Sequence, residues 1–336
     1  MIKIAILDDY LDSARRLADW SKLPPGCDIT VFRTHLYEHQ EDALVERLRD
    51  FEIICPMRER TPFPRSLMQR LPKLKLLATT SKRNHAIDLN AAEELGITAC
   101  GTGLPDTGDG TAELTWALIL GFARQIAGED RVIKEGGWQY AVGRTVKGLT
   151  LGVVGLGRLG KPVARIGAAF GMRVIAWSPN MTPERAKEGG AEHATREQLF
   201  SEADFITIHM TLSERSRGLI GAGDIGRMKK DAVLVNTSRG PLVQESALIA
   251  ALEQGRIGGA ALDTFDVEPL PADHPFRRLP NMLLTGHVGY QTQKTYKIFF
   301  EDTVDNIVKF LAGKPTGFRL NPAAARDDSK PLFLDT

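Results

Sequence analysis

Along the chain, short runs of consecutive apolar residues alternate with stretches whose apolar positions recur every three or four residues. The first run, at 2–7 (IKIAIL), meets Asp8-Asp9 at once, as a buried parallel strand does where its carboxyl end reaches a polar edge. Similar runs follow at 29–32, 51–55, 74–78 and 97–99, separated by amphipathic stretches at 13–20, 41–48 and 65–71. Strands joined through helices make right-handed crossovers, so this alternation predicts a parallel sheet and one small α/β domain in the first hundred residues or so. Residues 101–110 (GTGLPDTGDG) hold four glycines and a proline and are read as a linker or hinge. A long helix is expected over 111–127, with Trp116, Leu120 and Ala123 on one face. A second alternating series then begins: strand 149–154, helix 159–170, strand 173–177, and later strands at 205–209, 233–236, 259–262 and 282–285. A last amphipathic helix at 292–311 ends at Gly313-Lys314-Pro315, and its place after the second series suggests a return to the first domain. The tail from Asn321 is polar and contains proline, which predicts poor order.

Composition narrows the classes. The length of 336 residues suggests two domains at about 150 residues each. An apolar fraction of 43%, a charged fraction of 25% and a mean hydropathy of −0.17 describe a soluble globular chain. With 43 basic and 42 acidic residues the net charge is +1, which argues against a nucleic-acid binder held by phosphate neutralisation. Cys27, Cys55 and Cys100 are odd in number and widely spaced, so neither a disulfide framework nor a metal site is expected and each reads as a small buried hydrophobe. The apolar run at 2–7 is too short for a signal peptide, and the longest one, near 114–123, falls short of the ~20 residues that span a bilayer. No membrane partner is expected, and the location is read as cytoplasmic.

The chemistry starts at Gly155-Leu156-Gly157-Arg158-Leu159-Gly160, a GxGxxG directly after a predicted strand and at the mouth of a helix. In that setting the first glycine allows a tight turn and the second lets backbone approach a pyrophosphate. The third lets helix and strand pack closely, and the helix N-terminus favours the phosphate charge. An acidic residue for the ribose hydroxyl is expected at the end of the next strand, and Ser178 stands there instead. A neutral residue no longer repels a 2′-phosphate, and Arg185 is the nearest cation downstream. NAD and NADP both stay open.

Three further segments recur in a familiar order: Val235-Asn236-Thr237-Ser238-Arg239-Gly240, Leu262-Asp263-Thr264-Phe265-Asp266-Val267-Glu268-Pro269, and Gly286-His287-Val288-Gly289. With the glycine motif and Thr111-Ala112-Glu113-Leu114, the chain resembles the D-isomer-specific 2-hydroxyacid dehydrogenase family over nearly its whole length, to about residue 320. The resemblance implies an α/β protein of two domains. A Rossmann NAD(P)-binding domain would span 103–289, and a flavodoxin-like substrate domain would span 1–102 plus 290–320, leaving 321–336 as a tail. It also implies a homodimer, with Gly136-Gly137-Trp138 on an arm of the nucleotide domain, and closure of the domains over a small 2-oxo or 2-hydroxy acid about the 101–110 hinge.

On this reading the oxo acid needs a proton donor and a cation beside the hydride source. His287 suits the first because imidazole titrates near neutrality, and Glu268, 19 residues earlier, would orient it and favour its protonated form. Arg239 offers a planar fork for the carboxylate and a fixed charge for the carbonyl oxygen. Ser238, Asp263 and Gly289 would line the nicotinamide side, although Asp263 also suits a loop cap. Two other readings share the fold. A nucleotide-sensing, corepressor-like module would bind without turnover, and a formate dehydrogenase-like enzyme would carry glutamine where Glu268 stands. The intact Arg239, Glu268 and His287 favour a 2-hydroxy acid enzyme.

Two departures from the family pattern stand out. In Thr79-Thr80-Ser81-Lys82-Arg83-Asn84-His85, Ser81 and Arg83 replace glycines and His85 an aspartate, so Lys82 or Arg83 is a candidate contact for a second anionic group. A solvated loop charge explains them equally well. Gly286 stands where a proline commonly precedes the histidine, and Tyr290 is a candidate substrate contact or a packing residue.

Overall fold

The apolar runs form two separate, wholly parallel sheets in the computed structural model, which describes residues 1–103 and 108–320. The middle of the expected hinge, 104–107, and the tail from Asn321 lie outside the described residues. The chain divides into two compact units, Met1–Asp106 with Thr292–Thr336, and Thr107–Gln291.

In the first unit β1 (Ile2–Ile6), β2 (Cys27–Val31), β3 (Ile53–Cys55), β4 (Leu76–Ala78) and β5 (Thr98–Cys100) stand in the order β2-β1-β3-β4-β5. This is the flavodoxin-like order. Strands β3 and β4 are buried throughout, so their sequence reads as an unbroken apolar run and not as an alternation. The chain steps outward from β1 to β2 and then crosses back to β3. The direction of winding therefore reverses between β1 and β3, the place where open α/β sheets bind ligands. The helix Gln293–Leu311 packs in this unit and buries Tyr296, Phe299, Phe300, Val304 and Ile307. On the same helix Asn306 donates its amide to the Gly101 carbonyl (2.8 Å) and accepts the Gly317 N–H (2.8 Å). Cys55 and Cys100 are buried here, and burial pushes both thiols up, Cys100 to about 12, so they are inert packing residues.

In the second unit β6 (Thr150–Val154), β7 (Arg173–Trp177), β8 (Glu192–His193), β9 (Phe205–Ile208), β10 (Val233–Asn236), β11 (Gly259–Leu262) and β12 (Met282–Leu284) form a sheet ordered β12-β11-β10-β9-β6-β7-β8. Its first six strands in chain order follow the dinucleotide-binding pattern, with the reversal between β6 and β9. One face packs on Phe200, Ile206, Leu234 and Leu252, the other on Trp116, Ile119, Val163 and Phe205. The edge strand β8 is two exposed residues long and has no apolar run to announce it. The helix expected over 111–127 is divided. Asp109–Ala123 ends where Gln125 takes a left-handed backbone (φ 55°), and a second helix, Ile126–Lys134, follows. The Ala123 carbonyl accepts the Arg144 N–H (2.7 Å), a bond that a continuing helix would give to residue 127.

Candidate active site

Register brings the distant motifs together. Trp177, Val154, Ile208, Asn236, Leu262 and Leu284 stand side by side as the last residues of six adjacent strands. Parallel neighbours lie about 4.8 Å apart, so the residues that follow them (Ser178, Gly155, His209, Thr237, Asp263 and Thr285) emerge along one edge of the sheet.

The glycines at this edge have three different physical reasons. Gly155 has φ +92°, and a Cβ there would lie 2.6 Å from the His209 carbonyl oxygen. At Gly160 a Cβ would lie 2.1 Å from the Gly155 carbonyl oxygen, so only glycine lets the helix Gly160–Ala169 start so close to β6. At Gly157 nothing lies within 4 Å of the Cβ position, leaving bare backbone open to a ligand. No side chain caps that helix at Leu159, which suits an anion at its N-terminus. Arg158 and Leu159 lie against Gly108, where a Cβ would meet the Leu159 side chain at 2.5 Å. These features fit a dinucleotide pyrophosphate. Ser178 is half-buried after β7, and Arg185 donates to the Asn180 carbonyl (2.9 Å), two residues beyond it.

At the other end of the row, Asp263 is fully buried directly after β11. Its carboxylate accepts the Thr285 hydroxyl (2.6 Å), the Val288 N–H (2.8 Å) and the Gly289 N–H (2.9 Å), and its carbonyl accepts the His287 N–H (2.7 Å). Burial raises its carboxyl above the ordinary range against the pull of those donors and of His287. The loop held in this way keeps His287 in the left-handed region, φ +56°. There Nδ1 of His287 meets Oε2 of Glu268 at 2.5 Å, while Oε1 accepts the Phe265 N–H (2.9 Å). Burial alone would raise the Glu268 carboxyl. The His287 hydrogen bond and charge, the Phe265 N–H and nearby Arg239 together hold it below its ordinary value. Tyr290 is half-buried and meets the His287 ring edge-on at 5.7 Å.

The turn after β10 is wired by Asn236. Its side chain accepts the Ser238 N–H (3.0 Å) and donates to the Arg239 carbonyl (2.8 Å), while the Ser238 hydroxyl donates to the Ile208 carbonyl (2.7 Å). At Gly240 a Cβ would lie 2.1 Å from the Phe265 carbonyl carbon, so glycine lets the arginine turn sit on the loop that carries Glu268. Neither Asn236 nor Gly240 was singled out from sequence, although both stand in the quoted segment after a predicted strand. His209 follows β9 with Nε2 on the Thr207 hydroxyl (2.9 Å). Its Nδ1 is buried without a hydrogen-bond partner among the described residues, and burial pushes its imidazole down to about 4.

In the first unit the loop after β4 is folded on itself. Ser81 has φ +111°, and its hydroxyl donates to the Arg83 carbonyl (2.5 Å) and accepts the Arg83 N–H (3.2 Å). That side chain is thereby committed to its own loop, while Lys82 and Arg83 are exposed. The sequence reading missed Arg58 and Arg60, half-buried cations just beyond β3. Their signal was the pair of arginines immediately after the run at 51–55. Among the described residues no cluster of His, Cys, Asp and Glu could hold a metal ion, and no helix is long and apolar enough to cross a membrane.

Bare glycine backbone at a helix N-terminus, an imidazole–carboxylate pair and an arginine turn thus stand along one edge of this sheet, an arrangement that suits a dinucleotide and a proton donor. Residues 116–289 match the family model for the D-isomer specific 2-hydroxyacid dehydrogenase NAD binding domain. The chain is 39% identical over 321 residues to a glyoxylate reductase of Aeropyrum pernix, spanning 93% of this chain and 90% of that protein. It is 36% identical over 319 residues to a D-3-phosphoglycerate dehydrogenase of Methanocaldococcus jannaschii, 94% of this chain and 58% of that longer protein. The crystal structure of a phosphoglycerate oxidoreductase from Vibrio cholerae superposes with a TM-score of 0.86 at 36% identity, covering 93% of this chain and all of that one. The chain belongs to the D-isomer specific 2-hydroxyacid dehydrogenase family, NAD-dependent oxidoreductases that move a hydride between 2-oxo acids and D-2-hydroxy acids.

The state of His209 has a measurable consequence. Its folded value of about 4 lies below the 6.5 of a free imidazole, so neutral His209 contributes stability above pH 6.5 that is lost as pH falls toward 4. Between pH 7 and pH 5 this amounts to about 2 kcal/mol. Denaturant titrations should show that the loss of stability over this interval shrinks by about that amount in His209→Gln, and an equal loss in both proteins would contradict the assignment.

Proposed function

We propose that this enzyme reduces a small 2-oxo acid with His287 as the acid and base, Glu268 as its partner and Arg239 as the cation for carboxylate and carbonyl. The observation that carries this reading is the 2.5 Å contact of His287 Nδ1 with Glu268, which leaves Nε2 to face a substrate oxygen. A proton on the ring is stabilised by a carboxylate that is itself held ionised. In reduction His287 gives that proton to the carbonyl oxygen as the alkoxide develops, and in oxidation it takes the proton back. The Arg239 guanidinium binds the carboxylate and stabilises charge on that oxygen. Gly155, Gly157, Arg158, Leu159 and Gly160 would hold the cofactor pyrophosphate and Ser178 the adenosine ribose. Ser238, Asp263 and Gly289 border the nicotinamide end. A bound nicotinamide cofactor supplies or accepts the hydride. Lys82 and Arg83 are read as contacts for a second anionic group on the substrate, Ser81 as the residue that shapes their loop, and Tyr290 as a contact for the acid's side chain.

Loss of NADH absorbance across a panel of 2-oxo acids, with NADPH in parallel, tests this. Turnover of at least one acid is expected, with kcat in His287→Ala lower by about 10²–10⁴-fold. Cofactor binding without turnover of any acid would favour the sensing module instead. In the same panel Arg83→Ala should lose preference for dianionic acids, and an unchanged preference would remove Lys82 and Arg83 from the site.

We also infer a homodimer, formed through the second unit. The helix Ile126–Lys134 buries none of its residues, and Trp138 and Val142 are 78% and 99% exposed. The segment is nonetheless ordered against its own helix. Glu129 accepts the N–H groups of Tyr140 and Ala141, and Tyr140 lies over Gly128, where a Cβ would come within 2.4 Å of the ring. A folded arm that turns large apolar side chains outward suits a second copy of the chain. The free thiols of Cys27, Cys55 and Cys100 suit a reducing, cytoplasmic location. Sedimentation should give a dimer for the wild type and a folded monomer for Trp138→Glu/Val142→Glu. A monomeric wild type would contradict the inference.

A further inference from the structure

We propose that His274, held by Glu245, is a positioning residue that seats Glu268 against His287. The role this gives Glu268 rests on the functional reading above. Glu268 stands on the long connection between β11 and β12, where the helical turn Pro275–Arg277 interrupts otherwise irregular chain. A segment with so few backbone bonds of its own keeps one shape through its side-chain contacts.

Part of this connection is bonded to itself. Arg277 donates to the carbonyls of Pro271 (2.8 Å) and Leu270 (2.7 Å), and Arg278 donates to that of Asp273 (2.7 Å). His274 ties the folded piece to the helix Glu245–Glu253, which follows the turn that carries Arg239. Its Nδ1 accepts the Phe276 N–H (3.3 Å), so the ring proton lies on Nε2, and Nε2 meets Glu245 Oε1 at 3.2 Å. Glu245 is the first residue of its helix, where the dipole favours a carboxylate.

A short path leads from this contact to the imidazole pair. The His274 ring lies 4.9 Å from that of Phe276, which is 2% exposed, and the Phe276 ring lies 6.4 Å from that of Phe265. The Phe265 N–H is the group that Glu268 Oε1 accepts (2.9 Å). Charge makes the tie necessary. Glu245 and Asp266 both line the cleft between helix and loop. Burial and the Glu245 charge raise the Asp266 carboxyl, against the pull of Arg217 and His274. The two carboxylates repel across the cleft, and His274 is the donor that lets Glu245 stay beside the loop. Without it the repulsion pushes Asp266 outward, and with it Glu268, two residues on.

The test compares His274→Leu, His274→Gln and Glu245→Ala by amide hydrogen exchange at Phe265 and by NADH oxidation with the best 2-oxo acid of the panel. In His274→Leu the Phe265 amide should exchange about tenfold faster, while Val288 and Gly289, held by Asp263, exchange as in the wild type. Its kcat should fall about tenfold, with KM for the acid and NADH affinity within about threefold of wild type. His274→Gln keeps an N–H for Glu245 and should bring kcat and exchange back to within about threefold of wild type. Glu245→Ala removes the contact from the other side and the repulsion with it. The double variant with His274→Leu should therefore be no worse than His274→Leu alone. If His274→Leu fails to fold, Glu245→Ala carries the exchange test, with Phe265 faster by about threefold. Unchanged exchange at Phe265, equal acceleration at all three amides, no recovery in His274→Gln, or effects that multiply in the double variant would each overturn the proposal. A wild type that turns over no 2-oxo acid would overturn the functional reading alone, because exchange at Phe265 is read without turnover.

Discussion

The second unit depends on one buried carboxylate. Asp263 carries charge where burial opposes it, and it is retained because four bonds of the 285–289 loop converge on its side chain and backbone. Without that anchor nothing in the local sequence compels His287 to adopt a left-handed backbone, which a β-region histidine would avoid. The contact with Glu268 is therefore a consequence of Asp263. Two acidic residues five positions apart have divided the work: one fixes the backbone, the other faces the imidazole.

A second constraint operates on a larger scale. Parallel strands in register end together, so each strand delivers its following residue to the same edge. The sheet of the second unit uses this edge for glycine backbone at one end and for hydrogen-bonded polar side chains at the other. At the edge of the first unit the Asp8 carbonyl accepts Arg60 Nη1 (2.8 Å), and Asp8, Arg58 and Ser81 have left-handed backbones. Both edges rely on side chains that act on backbone: Asn236 and Asp263 in one, Asp9 and Asn84 in the other. Asn84, for instance, donates to the Arg58 carbonyl (2.6 Å) and accepts the Ala86 N–H (2.9 Å).

Much of this was legible in the sequence. Buried parallel strands write themselves as apolar runs, so the alternation exposed both sheets, and GxGxxG between a run and a helix marked the nucleotide edge. The reading failed where tertiary contacts decide. The helix from Asp109 stops at Ala123 because a distant amide, that of Arg144, takes a carbonyl, and no residue near 125 signals a break. Strand β8 is too short and too exposed to have a pattern. In the site, the family resemblance pointed to Arg239, Glu268 and His287 but could not show what supports them. The need for Gly240 appears only once Phe265 is known to pack on it, and the tie from Asp8 to Arg60 spans two crossovers. The Ser81 hydroxyl closes its own loop on Arg83, a contact that no residue pattern announces.

The claim that Asp263 organises the His287 loop is tested most directly by amide hydrogen exchange at Val288 and Gly289, measured together with turnover in Asp263→Asn. Asparagine keeps the shape but turns a donor toward one of the loop amides, a loss on the order of 1.5–3 kcal/mol for a hydrogen bond to a charged group. Both amides should then exchange at least about tenfold faster, with kcat falling in step. Unchanged exchange with unchanged turnover would contradict the account, and so would a freed loop that still supports wild-type kcat.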